Sequence, residues 1–228
     1  SAMSDQKRIC LVGATGLVGR SVIEAAVAQP SVRIVAVARR EMALPPGARM
    51  EMLVAPTVGW RDAIEASGAE VLVCALGTTW HKSGKDEAAF RAVDHDLVVA
   101  CAHAAKDAGI CHMILVSSIG ADPAARSRYL RIKGEAEQAI ERLRLRRLDI
   151  LRPGLLRGAR DESRPAERIA MLVSPIVDLA LHGSWRRYRS IRAADLAQGI
   201  LAPAPERAAG HFLHDQDSLF RAIRRAGG

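Results

Sequence analysis

The chain has 228 residues, 49% of them apolar and 25% charged, enough for one domain with a large core. No apolar stretch reaches the ~18 residues needed to cross a membrane. Net charge is +8, and only five of the 33 Lys and Arg residues are lysines; the arginines are scattered, so a nucleic-acid partner is not expected. The one dense run, Arg142-Leu-Arg144-Leu-Arg146-Arg147, is expected to be the solvated end of a helix, where cations suit the dipole. No secretory signal pattern opens the chain, and Ser1-Ala2 ahead of Met3 reads as a cloning remnant. Cys10, Cys74, Cys101 and Cys111 form no C-x-x-C pair and are expected to be buried free thiols in a reducing, cytoplasmic setting. His95, Cys101, His103, Cys111 and His112 crowd one region, but their spacing fits no standard zinc pattern, so no metal is expected.

In chain order, Arg8–Val12 reads as the first strand, followed by Gly13-Ala-Thr15-Gly16-Leu17-Val18-Gly19 and a helix-like stretch from Arg20 to Ala28. Arg33–Ala38 is the second strand and Arg49–Val54 the third. Trp60–Ser67 is a short helix, and the continuous apolar run Val71–Ala75 fits a buried parallel strand. A long alanine-rich helix runs from Glu87 to Ala108 and stops at Gly109. His112–Val116 is a strand, Arg128–Leu143 a helix, and Asp149–Arg152 a strand closed by Pro153-Gly154. Beyond Gly154 the pattern loosens. Helices are expected over Ala166–Leu181 (kinked or broken at Pro175), Ala193–Ala202 and Ser218–Ala226, with a short strand at His211–Leu213. Strands alternating with helices predict an α/β fold, a Rossmann-like doubly wound parallel sheet with helices on both faces. One nucleotide-binding domain over 1–228 is expected, its segment 154–228 shaping a substrate pocket.

The glycine run carries the first chemical signal. Strand, glycine turn and helix make a phosphate-binding corner: Gly13 for the tight turn, Gly16 for close approach of a pyrophosphate, Gly19 for helix packing, with the N–H groups of the helix start facing the anion. A residue about 20 positions past the loop reads the adenosine ribose; here Arg39 and Arg40 favour the 2′-phosphate of NADP(H), while Glu41 is the rival that would favour NAD(H). Ala75-Leu76-Gly77, at the carboxyl end of the fourth strand, is expected to meet the cofactor.

Tyr129-Leu-Arg-Ile-Lys133 is the second signal. Residues four apart share a helix face. A phenol titrates near ~10, and a nearby ammonium favours its ionised form, making it a workable acid/base for carbonyl/alcohol interconversion. Lys133 is the only lysine after Lys106. Ser117 or Ser118 could hold the substrate oxygen; Ser118, just past the strand end, is preferred.

These segments, together with Leu76-Gly-Thr-Thr79, Gly120-Ala-Asp122, Leu151-Arg-Pro-Gly154 and Glu162-Ser-Arg-Pro165, resemble the atypical branch of the short-chain dehydrogenase/reductase superfamily. More narrowly, the chain is similar to the Tat-interacting tumour-suppressor oxidoreductase family and its bacterial relatives. The resemblance implies Tyr129 as acid/base, Lys133 as its partner and nicotinamide-ribose ligand, a serine as substrate holder, and Pro153 near the nicotinamide. Many superfamily members carry an Asn in the central helix that completes a proton relay; the matching stretch here is Val93-Asp94-His95, so that role is not carried over.

Three functions compete. The first is an NADP(H)-dependent oxidoreductase acting on a small carbonyl or alcohol. The second is a cofactor-sensing regulator with a protein partner, a role that has no need for the Tyr129/Lys133 pair. The third is a sugar-nucleotide epimerase or dehydratase, for which the C-terminal portion is short. Arg160-Asp-Glu-Ser-Arg164 would serve as a lid or as a solvated turn.

Overall fold

In the computed structural model, which describes residues 6–48, 50–77, 83–84, 86–154, 156–157 and 191–226, seven strands form one wholly parallel sheet in the order β3-β2-β1-β4-β5-β6-β9. The strands are β1 (Lys7–Val12), β2 (Val32–Ala38), β3 (Glu51–Val54), β4 (Val71–Cys74), β5 (His112–Val116), β6 (Arg147–Leu151) and β9 (Gly210–His214); β7 (Leu156–Arg157) and β8 (Ile191–Arg192) pair separately. The helices are α1 (Leu17–Val27), α2 (Trp60–Ala66), α3 (Glu87–Arg91), α4 (Val98–Asp107), α5 (Arg128–Glu141), α6 (Ala193–Leu201) and α7 (Gln216–Ala226). Strand order reverses between β1 and β4, and the carboxyl ends of these two strands open the crevice where this architecture takes its ligands.

The alternation of side chains along each strand sorts the core into two layers. Ile9, Leu11, Ile34, Ala36, Val71, Val73, Ile114 and Val116 face α1, α6 and α7. Cys10, Val12, Leu72, Cys74, Met113, Leu115, Leu148 and Ile150 face Trp60 and Ile64 of α2, Val98 and Cys101 of α4, and Ile140 of α5. Burial on both faces is why β4 and β5 read as unbroken apolar runs.

Two expectations need correction. Arg147 is not part of a solvated helix end: it opens β6, is buried, and donates to Asp149 at 2.7 and 3.0 Å while its guanidinium stacks 4.1 Å over Phe212. Asp149, fully buried, also bonds His112 and His214, each at 2.7 Å. These partners outweigh the cost of burial and hold its carboxyl well below the usual range. Cys111 is exposed, because it precedes β5 in the turn after α4; the other three thiols are buried, and desolvation pushes Cys10 up to about 12 and Cys74 up to about 11. The helix expected over Ala166–Leu181 and the lid Arg160–Arg164 lie outside the described residues.

The long central helix contains an unforeseen irregularity. Between α3 and α4 the chain forms a π-helical turn, Ala92–Leu97, and its buried residue is Asp94. Such insertions re-aim one side chain, and they concentrate at functional sites.

Candidate functional site

The ends of four strands, β1, β4, β5 and β6, and the helices α1 and α5 build the crevice. At β1, Gly13 has φ +86, and a Cβ there would lie 2.5 Å from the Ala75 carbonyl carbon and 2.6 Å from the Leu76 amide. The turn is therefore pressed against the end of β4, and Ala75 N–H donates to Val12 at 2.9 Å. A Cβ on Gly19 would lie 2.1 Å from the Gly13 oxygen, so α1 abuts the turn it follows. Gly16 differs: an added Cβ would meet only the Gly13 oxygen, at 3.6 Å. Gly16 is the N-cap of α1, no side chain caps that end, and Thr15 and Gly16 are exposed. A cradle with room over Gly16 and open N–H groups at Leu17 and Val18 fits the pyrophosphate of a dinucleotide.

At β4, Gly77 faces the second half of the site. A Cβ on it would stand 3.5 Å from Asp94 Oδ1 and 4.0 Å from Lys133 Nζ. Lys133, on α5, is buried and donates to Asp94 Oδ1 at 3.1 Å. Burial works against the ammonium, but the Asp94 carboxylate and Tyr129 outweigh it, and the Lys133 pKa lies above its ordinary value. Tyr129, one turn earlier, is half-buried with its ring 5.2 Å from that of Phe90 on α3. Ser127 caps α5 by accepting from Leu130 N–H, which places Tyr129 in the first turn of the helix. Gly134 lets the chain cross closely beside Lys133, because a Cβ there would lie 2.4 Å from the Asp122 carbonyl carbon and the Pro123 nitrogen.

At β5, the two serines separate. Ser117 is buried and donates to Glu137 Oε1 at 2.5 Å; Glu137 in turn accepts from Arg152 at 2.5 and 3.1 Å. Ser118 is half-buried, and among the described residues its hydroxyl makes one contact, 3.3 Å to the Ile119 carbonyl. Glu137 was missed in the sequence, although it continues the Tyr129, Lys133 row by a further four residues. At β6, the Pro153 carbonyl accepts from Ile119 N–H at 3.1 Å, and Gly154 N–H donates to the buried Gln216 at 3.1 Å, tying this strand end to β5 and α7. Arg39 and Arg40 are exposed immediately after β2. Thr78 and Thr79 lie outside the described residues.

A groove of about 730 Å³ lies at the other end of the sheet, lined by Ile23, Val27, Ile34 and Met50 among others, and contains none of these residues.

A family model described as NAD(P)H-binding matches residues 13–202. The protein named "fmp52, mitochondrial" of Emericella nidulans is 38% identical over 169 residues, covering 71% of this chain and 72% of that protein. Protein HTATIP2 of Rattus norvegicus is 46% identical over 103 residues, 45% of this chain and 42% of that one. Among solved structures, a Bacillus halodurans protein named for the NAD-dependent epimerase/dehydratases superposes with a TM-score of 0.70 at 23% identity, covering 96% of this chain and 99% of that one. MoeE5 in complex with UDP-glucose and NAD gives 0.68 at 15% identity, covering 96% and 82%. These likenesses establish the Rossmann-like fold and the resemblance drawn from the motifs. They also overturn one expectation: the fmp52 relatives are mitochondrial by name, so the cytoplasmic placement does not stand. Free cysteines are equally compatible with other reducing compartments. With the matched family model spanning most of its length, the chain belongs to the NAD(P)H-binding family.

Proposed function

We propose that the chain is an NADP(H)-dependent oxidoreductase of the short-chain dehydrogenase/reductase type that interconverts a small carbonyl compound and its alcohol. The observation that carries this reading is Lys133: a buried ammonium beside Gly77, at the carboxyl end of β4, one helical turn from Tyr129. In this reading Gly13, Thr15, Gly16, Leu17, Val18 and Gly19 hold the pyrophosphate, and Ala75, Leu76 and Gly77 border the riboses. Arg39 and Arg40 take the 2′-phosphate, which favours NADP(H) over NAD(H). Pro153, anchored by Ile119 N–H, borders the nicotinamide.

The bound nicotinamide supplies the hydride chemistry. Tyr129 gives a proton to the substrate oxygen during reduction and takes it back during oxidation. Ser118 donates a hydrogen bond that orients the same oxygen. Lys133 steadies the charge that develops on the phenol and reaches the nicotinamide ribose. Ser117 donates its hydrogen bond to Glu137, which supports Ser118 as the serine that orients the substrate oxygen.

NADPH oxidation with a panel of aldehydes, ketones and quinones tests this. Turnover of at least one member, lost in Tyr129→Phe while NADPH still binds, is expected. Binding of NADPH with no turnover across the panel would make the chain a sensor and overturn the reading.

A further inference from the structure

We propose that Asp94 is a positioning residue that sets the pH range in which the site's proton donor works, holding Lys133 as an ammonium and offsetting that ammonium's pull on the Tyr129 phenol. The proposal rests on reading Tyr129 and Lys133 as the acid/base pair. Its ground is geometric. Asp94 is 1% exposed, its Oδ1 stands 3.1 Å from Lys133 Nζ, and the π-helical turn aims it inward from a helix that would otherwise present a different face. Gly77 borders the pair: a Cβ built on it would lie within ordinary contact distance of both atoms.

The charge arithmetic gives the residue its role. With an uncharged amide at this position, Lys133 would act on Tyr129 as a lone buried cation. With Asp94, the two form a pair of zero net charge, and the phenol feels a dipole in place of a monopole. Among the described residues, the groups that face Lys133 are Asp94, Tyr129 and the Cys74 thiol from β4. Two partly exposed ion pairs, Glu87–Arg128 and Arg91–Glu135, join α3 to α5 near Tyr129, and the Glu137–Arg152 pair lies one turn beyond Lys133. Each balances its own charge and is unaltered by a change at Asp94. The raised Lys133 value agrees with a carboxylate that favours the ammonium.

The test is Asp94→Asn, which keeps the shape and a hydrogen-bond acceptor but removes the charge. The chain has two tyrosines, so in a Tyr188→Phe background the ultraviolet absorbance of tyrosinate reports Tyr129 alone, without nucleotide or turnover. Tyr129 lies one helical turn from Lys133, and Asp94 a hydrogen bond from Lys133; removing a unit charge at such a range through an effective dielectric constant of ~20 moves a titration by about one to two pH units. The midpoint is therefore expected to fall by that amount in D94N, and the kcat/KM profile to move toward acid with it. A midpoint that stays in place overturns the proposal, whatever happens to the rate. Should D94N fail to fold, a lysine-selective ¹⁵N spectrum of the wild type decides: a Lys133 NζH₃⁺ signal persisting above pH ~10.4 is expected, and loss of that proton at lower pH overturns it. Because the tyrosinate measurement needs no substrate, a shifted midpoint with no panel turnover sinks the reductase reading alone. Turnover that depends on Tyr129 with an unmoved midpoint sinks this inference alone.

Discussion

The three glycines of the first turn should respond to alanine in two different ways. Gly13 sits at φ +86, where a side chain costs about 1–2 kcal/mol. Its Cβ would also press into the Ala75 and Leu76 backbone, at 2.5 and 2.6 Å, and overpacking of that kind costs about 1–3 kcal/mol. The sum for Gly13→Ala is roughly 2–5 kcal/mol, a large part of a domain's stability, and lowers Tm on the order of 10 °C. Gly19→Ala meets the Gly13 oxygen at 2.1 Å and belongs with it. Gly16→Ala meets one atom at 3.6 Å with φ −79, so nothing in the protein itself resists the methyl group. A weaker N-cap and a less flexible unfolded chain offset one another to within ~0.5 kcal/mol, leaving Tm within about 2 °C. The methyl instead stands where a pyrophosphate must approach, and NADPH affinity should fall at least ~10-fold, equivalent to ~1.4 kcal/mol. Thermal unfolding by circular dichroism and titration of NADPH fluorescence separate the two effects. The reasoning is refuted if G16A destabilises as much as G13A, or if it binds NADPH as tightly as the wild type.

Two further outcomes follow from charge. Arg39→Ala should weaken NADPH binding about 10-fold or more and NADH binding by less than ~2-fold, since only the former carries the 2′-phosphate; equal losses in a fluorescence titration would contradict the assignment. Asp149→Asn should destabilise by about 3–5 kcal/mol in denaturant unfolding, because it leaves the buried Arg147 guanidinium unpaired. Asp149's folded-state pKa is depressed, so its contribution is complete above the unfolded carboxylate's ~3.9 and is withdrawn as pH falls through the folded value. The wild type should therefore lose its advantage over D149N below pH ~4, and parallel stability curves through that range would show that the carboxylate is not what the cluster depends on.

The parts of the molecule that repeat a simple period were visible before any coordinates. The buried runs of β1, β4 and β5, the glycine corner and the four-residue spacing of Tyr129 and Lys133 each follow from one local rule. Asp94 was visible only as a departure, an acid where the resembled superfamily often has an amide, because a π-helical turn changes which face a residue occupies and helical periodicity assumes it does not. Arg147 was misplaced for a related reason. Its neighbours Arg142, Arg144 and Arg146 are exposed, and nothing in the linear chain reveals that Arg147 pairs with Asp149 and stacks on Phe212, or that His112 and His214 from two further strands bond the same carboxylate. Glu137 escaped notice because its partners, Ser117 and Arg152, come together only when β5 and β6 pair.

A structure of the protein with NADP(H) bound tests the central claim most directly. The account predicts the pyrophosphate over Gly16, Lys133 Nζ on the nicotinamide ribose, and the Tyr129 hydroxyl within hydrogen-bonding reach of an oxygen seated on the reactive carbon. A nicotinamide ring lying away from α5, with Tyr129 facing bulk solvent, would contradict it.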